Sequence, residues 1–304
     1  MVKYDDVICP ICGWNTFKHK YWWNDYSYKT SNKKYEIIEC QNCELEQQYP
    51  LPSIKEQCSF YGWNYYSYNA KRLNKYSARE IWLKIEYFIF SMFENRELKL
   101  PKYRWNWKYF LDVGCWDWIT LENLKNSGRN TRWFEISEKP KFKDNIYYAN
   151  SIINVDFYEK YDLILCSSSF EHVYNPIPFL NKLKEILKDD GRIIMILPNV
   201  KSLSCKIFWP YHVARDIPRH IYGYNYENIV KLFNKMWFDV TYKSKRRESG
   251  LAPSFAWMLI WKHNKDMRNN IIYYFLRILF IPIEFILSCF RNTSNMWFVL
   301  KKKL

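Results

Sequence analysis

Four cysteines near the N-terminus have the types and spacing of a metal site. They form two Cys-x-x-Cys pairs with 27 residues between the pairs: Cys9, Cys12, Cys40 and Cys43. Four thiolates in this pattern favour a tetrahedral structural zinc site, which leaves no open position for a reacting group. A disulfide interpretation is unfavourable for a chain expected in a reducing compartment. The spacing therefore predicts a small zinc ribbon over residues 1–50.

A second chemical signal is the segment 110–118, which reads Phe-Leu-Asp-Val-Gly-Cys-Trp-Asp-Trp. A predicted strand, 109–113, leads through Gly114 into a helical pattern, and such a junction is where a nucleotide-like ligand meets the main chain. Glycine is favoured in this loop because it tolerates positive φ and lets a ligand approach the backbone. Trp116 and Trp118 occupy positions where further glycines are expected. The pattern predicts a cofactor loop in which two indoles fill space that the cofactor needs.

Hydrophobic periodicity and turn residues predict the elements that position these groups. Helices are predicted at 78–94, 175–187 and 226–235. Strands are predicted at 109–113, 146–149, 192–197, from 238 onward and near 296–301, with a turn at 189–191. This alternation of strands and helices is typical of an α/β domain with a parallel sheet.

Five sequence blocks carry a resemblance to a known family. They are FLDVGCWDW (110–118), WFEIS (133–137), YDLILCSSSFEHVYNP (161–176), LKDDGRIIMILPN (187–199) and IPRHIYGYN (217–225). In this order they resemble a class I S-adenosylmethionine (SAM) dependent methyltransferase with an N-terminal zinc ribbon, of the ubiquinone-biosynthesis and glycan-cluster type. The resemblance covers residues 36–304. It implies an α/β fold with a Rossmann-like, seven-stranded methyltransferase sheet beside the small ribbon.

The resemblance assigns SAM to the carboxyl ends of the strands, where ligands of open α/β sheets bind. Glu135 would accept hydrogen bonds from the ribose hydroxyls, about 20 residues past the loop. Asn150 and Ser151 would lie at the adenine edge. The expected cofactor-binding residues are Asp112, Gly114, Trp116, Trp118, Glu135, Asn150, Ser151, Phe170 and Glu171.

Two histidines are the candidate catalytic bases. Methyl transfer displaces a good sulfonium leaving group, so a base is needed only where the acceptor carries a proton. His172 and His220 are expected in this role because imidazole titrates near neutral pH. Arg219 is expected to bind an acidic or phosphate group of the acceptor. Methylation of oxygen, nitrogen or carbon stays open.

The chain contains 15 tryptophans and only 7 glycines, an inverted ratio for a globular protein. Tryptophan stands where glycine is common in the resembled family or normal in a turn, at Trp105, Trp107, Trp116, Trp118, Trp133, Trp237 and Trp297. One hypothesis explains these positions together: the gene encodes glycine by UGA, and the sequence is written with the tryptophan code. The alternative is a truly tryptophan-rich pseudo-methyltransferase that serves as a non-catalytic interaction module.

Composition fits one large and one small domain. With 304 residues and 48% hydrophobic residues, the chain can bury a sizeable core. We expect the ribbon at 1–50, a helical connector at 51–104 and the methyltransferase domain at 105–304. The N-terminus lacks the pattern of a signal peptide, so a cytoplasmic location is expected.

The last domain carries a hydrophobic insertion at about 250–293. Residues 271–290 are almost continuously apolar, but Arg277, Pro282 and Glu284 interrupt them, which disfavours a spanning helix. An interfacial hairpin at the inner membrane face, a lid over the acceptor and a buried helix pair stay open as alternatives.

The expected methyl acceptor is a small molecule such as a sugar, a glycan or a lipid precursor. The alternative is RNA, because some RNA methyltransferases also carry a zinc ribbon. The net charge of +15 fits an anionic partner such as nucleic acid, a phosphorylated substrate or membrane lipid. Much of that charge is also explained by a solvated lysine-rich surface.

Overall fold

A computed structural model describes most of the ribbon and most of the α/β sheet. The described residues are 4, 6–26, 28–61, 107–114, 128–136, 141–143, 145–209, 212, 214–242, 250–251, 254–255, 258, 271–290 and 292–303. The predicted helix at 78–94 and the loop residues Trp116 and Trp118 lie outside them. So do Trp105 and much of the predicted insertion.

The ribbon is an antiparallel sheet that takes its fourth strand from the C-terminal half of the chain. Its strands are β1 (Phe17–Asn24), β2 (Lys34–Cys40), β3 (Glu46–Tyr49) and β10 (Tyr222–Gly223), in the order β1-β2-β3-β10. Tyr222 pairs with Gln47, and Gly223 pairs with Glu46. Helix α1 (Ile54–Ser59) follows β3. The ribbon is therefore hydrogen-bonded to a segment more than 170 residues away in the sequence.

The second sheet is mostly parallel and forms the centre of the large domain. Its strands are β4 (Tyr109–Val113), β5 (Asn130–Ile136), β6 (Lys141–Lys143), β7 (Ile146–Ala149), β8 (Tyr161–Ser167), β9 (Leu187–Pro198), β11 (Phe238–Tyr242) and β12 (Asn295–Lys302). Their order is β11-β12-β9-β8-β4-β5-β7-β6. The pairs from β9 to β7 are parallel, and β12, β11 and β6 pair antiparallel at the two edges.

The Rossmann-like fold class is confirmed, with two corrections. The sheet has an eighth strand, because the short β6 adds to the edge of β7. Strand β9 begins at Leu187, so the turn predicted at 189–191 is part of the strand. Asp189 and Asp190 are exposed there, and polar residues at the start of a strand resemble a turn when only the sequence is read.

The helices beside the sheet follow from their apolar stripes and caps. They are α2 (Pro176–Ile186), α3 (Leu203–Ile207), α4 (Tyr226–Lys235), α5 (Ile271–Leu279) and α6 (Ile281–Cys289). Proline is tolerated at the first position of α2, since the amide there has no helical partner. A reciprocal capping box between Asn225 and Asn228 begins α4. In the described residues no helix is long and apolar enough to cross a membrane.

Trp237 occupies a turn whose backbone favours glycine. It stands between α4 and β11, its φ is 60°, and 69% of its surface is exposed. A bulky side chain in the left-handed region is strained by about 1–3 kcal/mol. Because the Trp237 ring is so exposed, its packing contacts offset little of that strain. Glycine, the residue expected here from the sequence, would adopt this backbone without it.

Replacing Trp237 by glycine should raise the free energy of unfolding by about 1 kcal/mol, because the strain at positive φ is released. Trp22→Gly is the matched control, since Trp22 is 50% exposed but lies within β1, where glycine lowers stability. Denaturant unfolding of the three proteins measures both changes. A loss of stability in Trp237→Gly as large as that in the control would contradict strain at this turn.

Candidate functional site

The four predicted cysteine ligands come together at one end of the ribbon. Their sulfurs all lie within 4.8 Å of one another, with Cys9 3.5 Å from Cys43 and Cys12 3.6 Å from Cys40. Sulfurs that ligate a tetrahedral zinc at about 2.3 Å are separated by roughly 3.8 Å. The cluster therefore has the size and the donor set to hold one zinc ion.

The two cysteine turns have matching backbones. In each turn the residue after the second cysteine donates its amide to the carbonyl of the first, at 2.9 Å for both Gly13 and Glu44. Both residues have positive φ, 76° for Gly13 and 58° for Glu44. Glu44, a departure from the usual glycine, thus takes the same conformation, and its carboxylate pairs with Lys201 of the large domain.

The start of the predicted cofactor loop lies at the carboxyl end of β4. Gly114 has a φ of 77° and donates its amide to the Phe134 carbonyl at 3.0 Å, which brings it beside Glu135 at the end of β5. A Cβ on Gly114 would meet the Ser169 side chain at 2.7 Å. Glycine is therefore required twice here, by the backbone and by the close approach of Ser169. Asp112 is buried in β4.

Asn150 and Ser151 lie at the carboxyl end of β7, as expected from the sequence. The Ser151 hydroxyl caps the 3₁₀ turn Ile152–Asn154 by accepting from the Ile153 amide at 3.3 Å. Asn150 is exposed and accepts from the Asn154 side chain at 2.8 Å. Both side chains thus shape the turn at this edge.

Phe170 does not fit the expected cofactor contact. Its surface is fully buried, and its ring packs against Tyr224, Phe179 and Phe233, the first of these stacked at 5.3 Å. An enclosed ring cannot touch a ligand in the cleft. Phe170 is a core residue that anchors the turn carrying Glu171.

Glu171, His172 and His220 form a trio in which the first two are buried and His220 is partly buried. The first two lie on the 3₁₀ turn after β8, and His220 lies in the segment that leads into β10. One ring nitrogen of each histidine and one carboxyl oxygen of Glu171 lie within 4.8 Å of one another. The His220 Nε2 is 3.7 Å from a Glu171 carboxyl oxygen. In the described part of the chain neither Glu171 oxygen has a hydrogen-bond partner. Glu171, which was expected among the cofactor-binding residues, therefore lies beside the two candidate catalytic histidines, His172 and His220.

Backbone carbonyls fix the protonation pattern of the two histidines. Nδ1 of His172 is 2.7 Å from the Arg219 carbonyl, and Nδ1 of His220 is 3.1 Å from the Ala214 carbonyl. A carbonyl only accepts, so each Nδ1 carries the proton and each Nε2 presents a lone pair. Burial lowers the pKa of His172 to about 3 and also lowers the pKa of His220, so both rings are neutral at pH 7.

Arg219 is wholly engaged inside the protein, in contrast to its expected role as an acceptor-binding residue. Its surface is fully buried, and the guanidinium bonds to Asp216 at 2.7 and 2.8 Å and to Asp25 at 2.8 Å. Further donors reach Thr30 at 3.2 Å and the Phe60 carbonyl at 3.3 Å. All five N–H groups are used, so none is left for a substrate.

The sequence did not indicate Asp25, Asp216 or Gln57. Asp216 stands three residues before Arg219, a spacing that could have suggested the pair. Asp25 is separated from Arg219 by 194 residues and gives no local signal. Gln57 of α1 is 3.4 Å from the carbonyls of both His172 and Arg219, so it also braces the trio from the ribbon side.

Glu171 should make stability fall as the pH rises. Burial raises its pKa to about 8, above the unfolded value of 4.5, so its favourable contribution is complete below pH 4.5 and lost as the pH passes 8. Glu171→Gln stays neutral, so from pH 5 to 8.5 the wild type should lose on the order of 4 kcal/mol relative to this variant. The histidines titrate in both proteins and cancel in the difference. Denaturant unfolding across this range tests the prediction, and parallel curves for the two proteins would contradict it.

A family model described as a methyltransferase domain matches residues 86–243, just over half of the chain. A ubiquinone biosynthesis O-methyltransferase of Paraburkholderia phytofirmans is 24% identical over 131 residues, which is 38% of this chain and 56% of that protein. An uncharacterized protein of Methanocaldococcus jannaschii is 35% identical over 119 residues, which is 37% of this chain and 51% of that protein. The chain thus spans about half the length of these curated relatives.

Solved structures of methyltransferases are also similar to the chain. A SAM-dependent methyltransferase from Archaeoglobus fulgidus aligns over 74% of this chain and 95% of its own, with 18% identity and a TM-score of 0.44. An O-methyltransferase of a polyketide synthase from Brevibacillus brevis aligns over 77% and 82%, with 15% identity and a TM-score of 0.41. The family assignment depends on the sequence match, and by that match the chain belongs to the methyltransferase-domain family.

Proposed function

We propose that the protein transfers the methyl group of SAM to a small-molecule acceptor. The observation that carries the proposal is the close approach of Ser169 to Gly114, which brings the end of β4 against the turn that carries Glu171 and His172. Gly114 and Glu135 lie on one side of this contact, and Glu171, His172 and His220 on the other. A cofactor site and a candidate base therefore meet at the carboxyl ends of neighbouring parallel strands.

The residues fit SAM in outline. Gly114 carries no side chain and has the positive φ of a cofactor loop, and the carboxylate of Glu135 suits the two ribose hydroxyls. When bound, SAM supplies an electrophilic methyl group on a sulfonium. The chain itself orients the acceptor. Where the acceptor carries a proton, Nε2 of His220 accepts that proton. A sugar, glycan or lipid precursor is the acceptor class that we favour, with RNA as the alternative.

We also propose that glycine stands in the natural protein where tryptophan is written in turns. Trp237 supports this, because an exposed indole at positive φ has no evident structural use. Trp107, Trp133 and Trp297 give no such support. They pack together with Phe110 on one face of the sheet, and none of them has positive φ.

Protein purified from its native source should show glycine at positions 116, 118 and 237 when its peptides are sequenced by mass spectrometry. Recombinant protein with Trp116→Gly and Trp118→Gly should bind SAM at least about tenfold more tightly than the sequence as written, because two indoles leave the loop. Calorimetry measures the affinity. Trp237→Gly alone is the control, since it lies outside the loop.

In an acceptor screen with labelled SAM, His220→Gln in the glycine background should lower methyl transfer on the order of 100-fold and leave SAM binding unchanged. Tryptophan in the native peptides, together with no SAM binding, would overturn the enzyme and favour the non-catalytic interaction module.

We propose that the cysteine cluster holds structural zinc. One zinc per chain is expected by elemental analysis, and removal with a strong chelator or by Cys43→Ser should lower stability on the order of 5 kcal/mol, since zinc binding is coupled to folding of the ribbon. Cys289→Ser is the control, because this exposed thiol lies outside the cluster. Full stability without any bound metal would contradict the site.

We propose that α5 and α6 rest on a membrane surface. The pair and the residue that follows α6 expose apolar side chains that are all at least 48% exposed: Phe275, Leu279, Ile283, Ile286 and Phe290. The neighbouring α3 adds Leu203 and Ile207 and is joined to the end of α6 by a bond from the Leu203 amide to Asn292. Exposed apolar side chains of this kind suit the boundary between headgroups and acyl chains.

Phe275→Ser with Phe290→Ser should reduce sedimentation with phosphatidylglycerol vesicles by about tenfold, because apolar burial in the interface is lost. Phe142→Ser is the matched control, as Phe142 is 52% exposed at the far edge strand β6. Binding that is equally strong in all three proteins, or absent in the wild type, would contradict this membrane surface.

A further inference from the structure

We infer that Asp25 of the ribbon is a positioning residue for the acceptor side of the site, acting through Arg219 on His172. This inference rests on the proposed function, since it names the part of the chain that sets the geometry of the candidate base region. It also assigns a role to the ribbon beyond holding metal.

The first step is that Asp25 is built to hold a cation. It is 4% exposed, and its two oxygens accept the amides of Tyr28 and Thr30 at 3.1 and 2.7 Å and the Thr30 hydroxyl at 2.7 Å. These bonds fix the carboxylate before any partner arrives. The Arg219 guanidinium then meets it at 2.8 Å and stacks over the Tyr28 ring at 4.5 Å.

The second step is that Arg219 links Asp25 to the trio, because its side chain contacts Asp25 and its backbone carbonyl contacts His172. Its side chain is held between Asp25 and Asp216, and its carbonyl receives the Nδ1 proton of His172 at 2.7 Å. The His172 ring in turn packs edge-on against His220, with 4.9 Å between the ring centres. A shift of the guanidinium would therefore move the carbonyl that fixes which nitrogen of His172 is protonated.

The chain offers a second buried ion pair between the same two parts as a comparison. Arg215 donates to Glu46 at 2.6 and 3.2 Å, and both side chains are almost fully buried. This pair also joins the ribbon to the segment before β10. Among the described residues, His172 Nδ1 lies 2.7 Å from the Arg219 carbonyl and 3.1 Å from the Tyr61 hydroxyl, and no bond joins it to Arg215. Glu46→Gln thus weakens the same junction without touching the contact that carries the inference.

The experiment is the pH dependence of the imidazole ¹⁵N signals in the full-length protein, compared with Asp25→Asn and Glu46→Gln. In the wild type, His172 should show one protonated and one bare nitrogen from pH 5 to 8. In Asp25→Asn the two His172 signals should converge, as the protonated form exchanges between nitrogens, while Glu46→Gln should keep them apart. Unchanged His172 signals in Asp25→Asn, or equal convergence in Glu46→Gln, would overturn the inference.

Where Asp25→Asn fails to fold, Thr30→Ala takes its place, because it removes one hydroxyl that contacts both Asp25 and Arg219. A change confined to the His172 signals supports the inference, and unchanged signals overturn it. All spectra are recorded without SAM. Failure of the proposed function would instead appear as absent SAM binding in the glycine-restored protein, whatever the histidine signals show.

Discussion

The structure depends on a buried guanidinium, Arg219, held between Asp25 of the ribbon and Asp216, three residues before it in the sequence. A fully buried charge is tolerated only when every donor is matched, and here Asp25, Asp216, Thr30 and the Phe60 carbonyl complete the set. Losing one partner of such a pair costs about 3–5 kcal/mol, because the other charge stays buried and unpaired. The ribbon and the large domain therefore hold each other in one relative position.

Further interactions at the same junction act in the same direction. The β3–β10 pairing and the Arg215–Glu46 ion pair fasten the segment 214–223 to the ribbon, and Gln57 of α1 contacts the Arg219 carbonyl of the same segment. This segment carries His220 and the carbonyls that set both histidine tautomers. The proposed acceptor side of the cleft therefore combines residues of the ribbon and of the large domain, and both of its candidate histidines belong to the large domain.

The tryptophans divide according to the backbone beneath them. In extended strands or beside them, as at 107, 133 and 297, an indole joins a packed layer and is compatible with the fold. At the turn of Trp237 the same residue meets a left-handed backbone and solvent. A substitution of glycine by tryptophan is therefore most disruptive in turns, and the sequence predicts such a turn at the proposed cofactor loop.

The sequence by itself determined the elements whose signals are local. Strands β4 and β7 and helix α4 have the predicted bounds, because apolar period and capping residues are read within one element. The cluster of four cysteines was equally predictable, since each Cys-x-x-Cys turn brings its own two sulfurs together. Burial was decided only by the tertiary structure. Phe170, Glu171 and Arg219 face inward because partners from distant strands and the ribbon enclose them, and a partner 194 residues away leaves no trace in the local pattern.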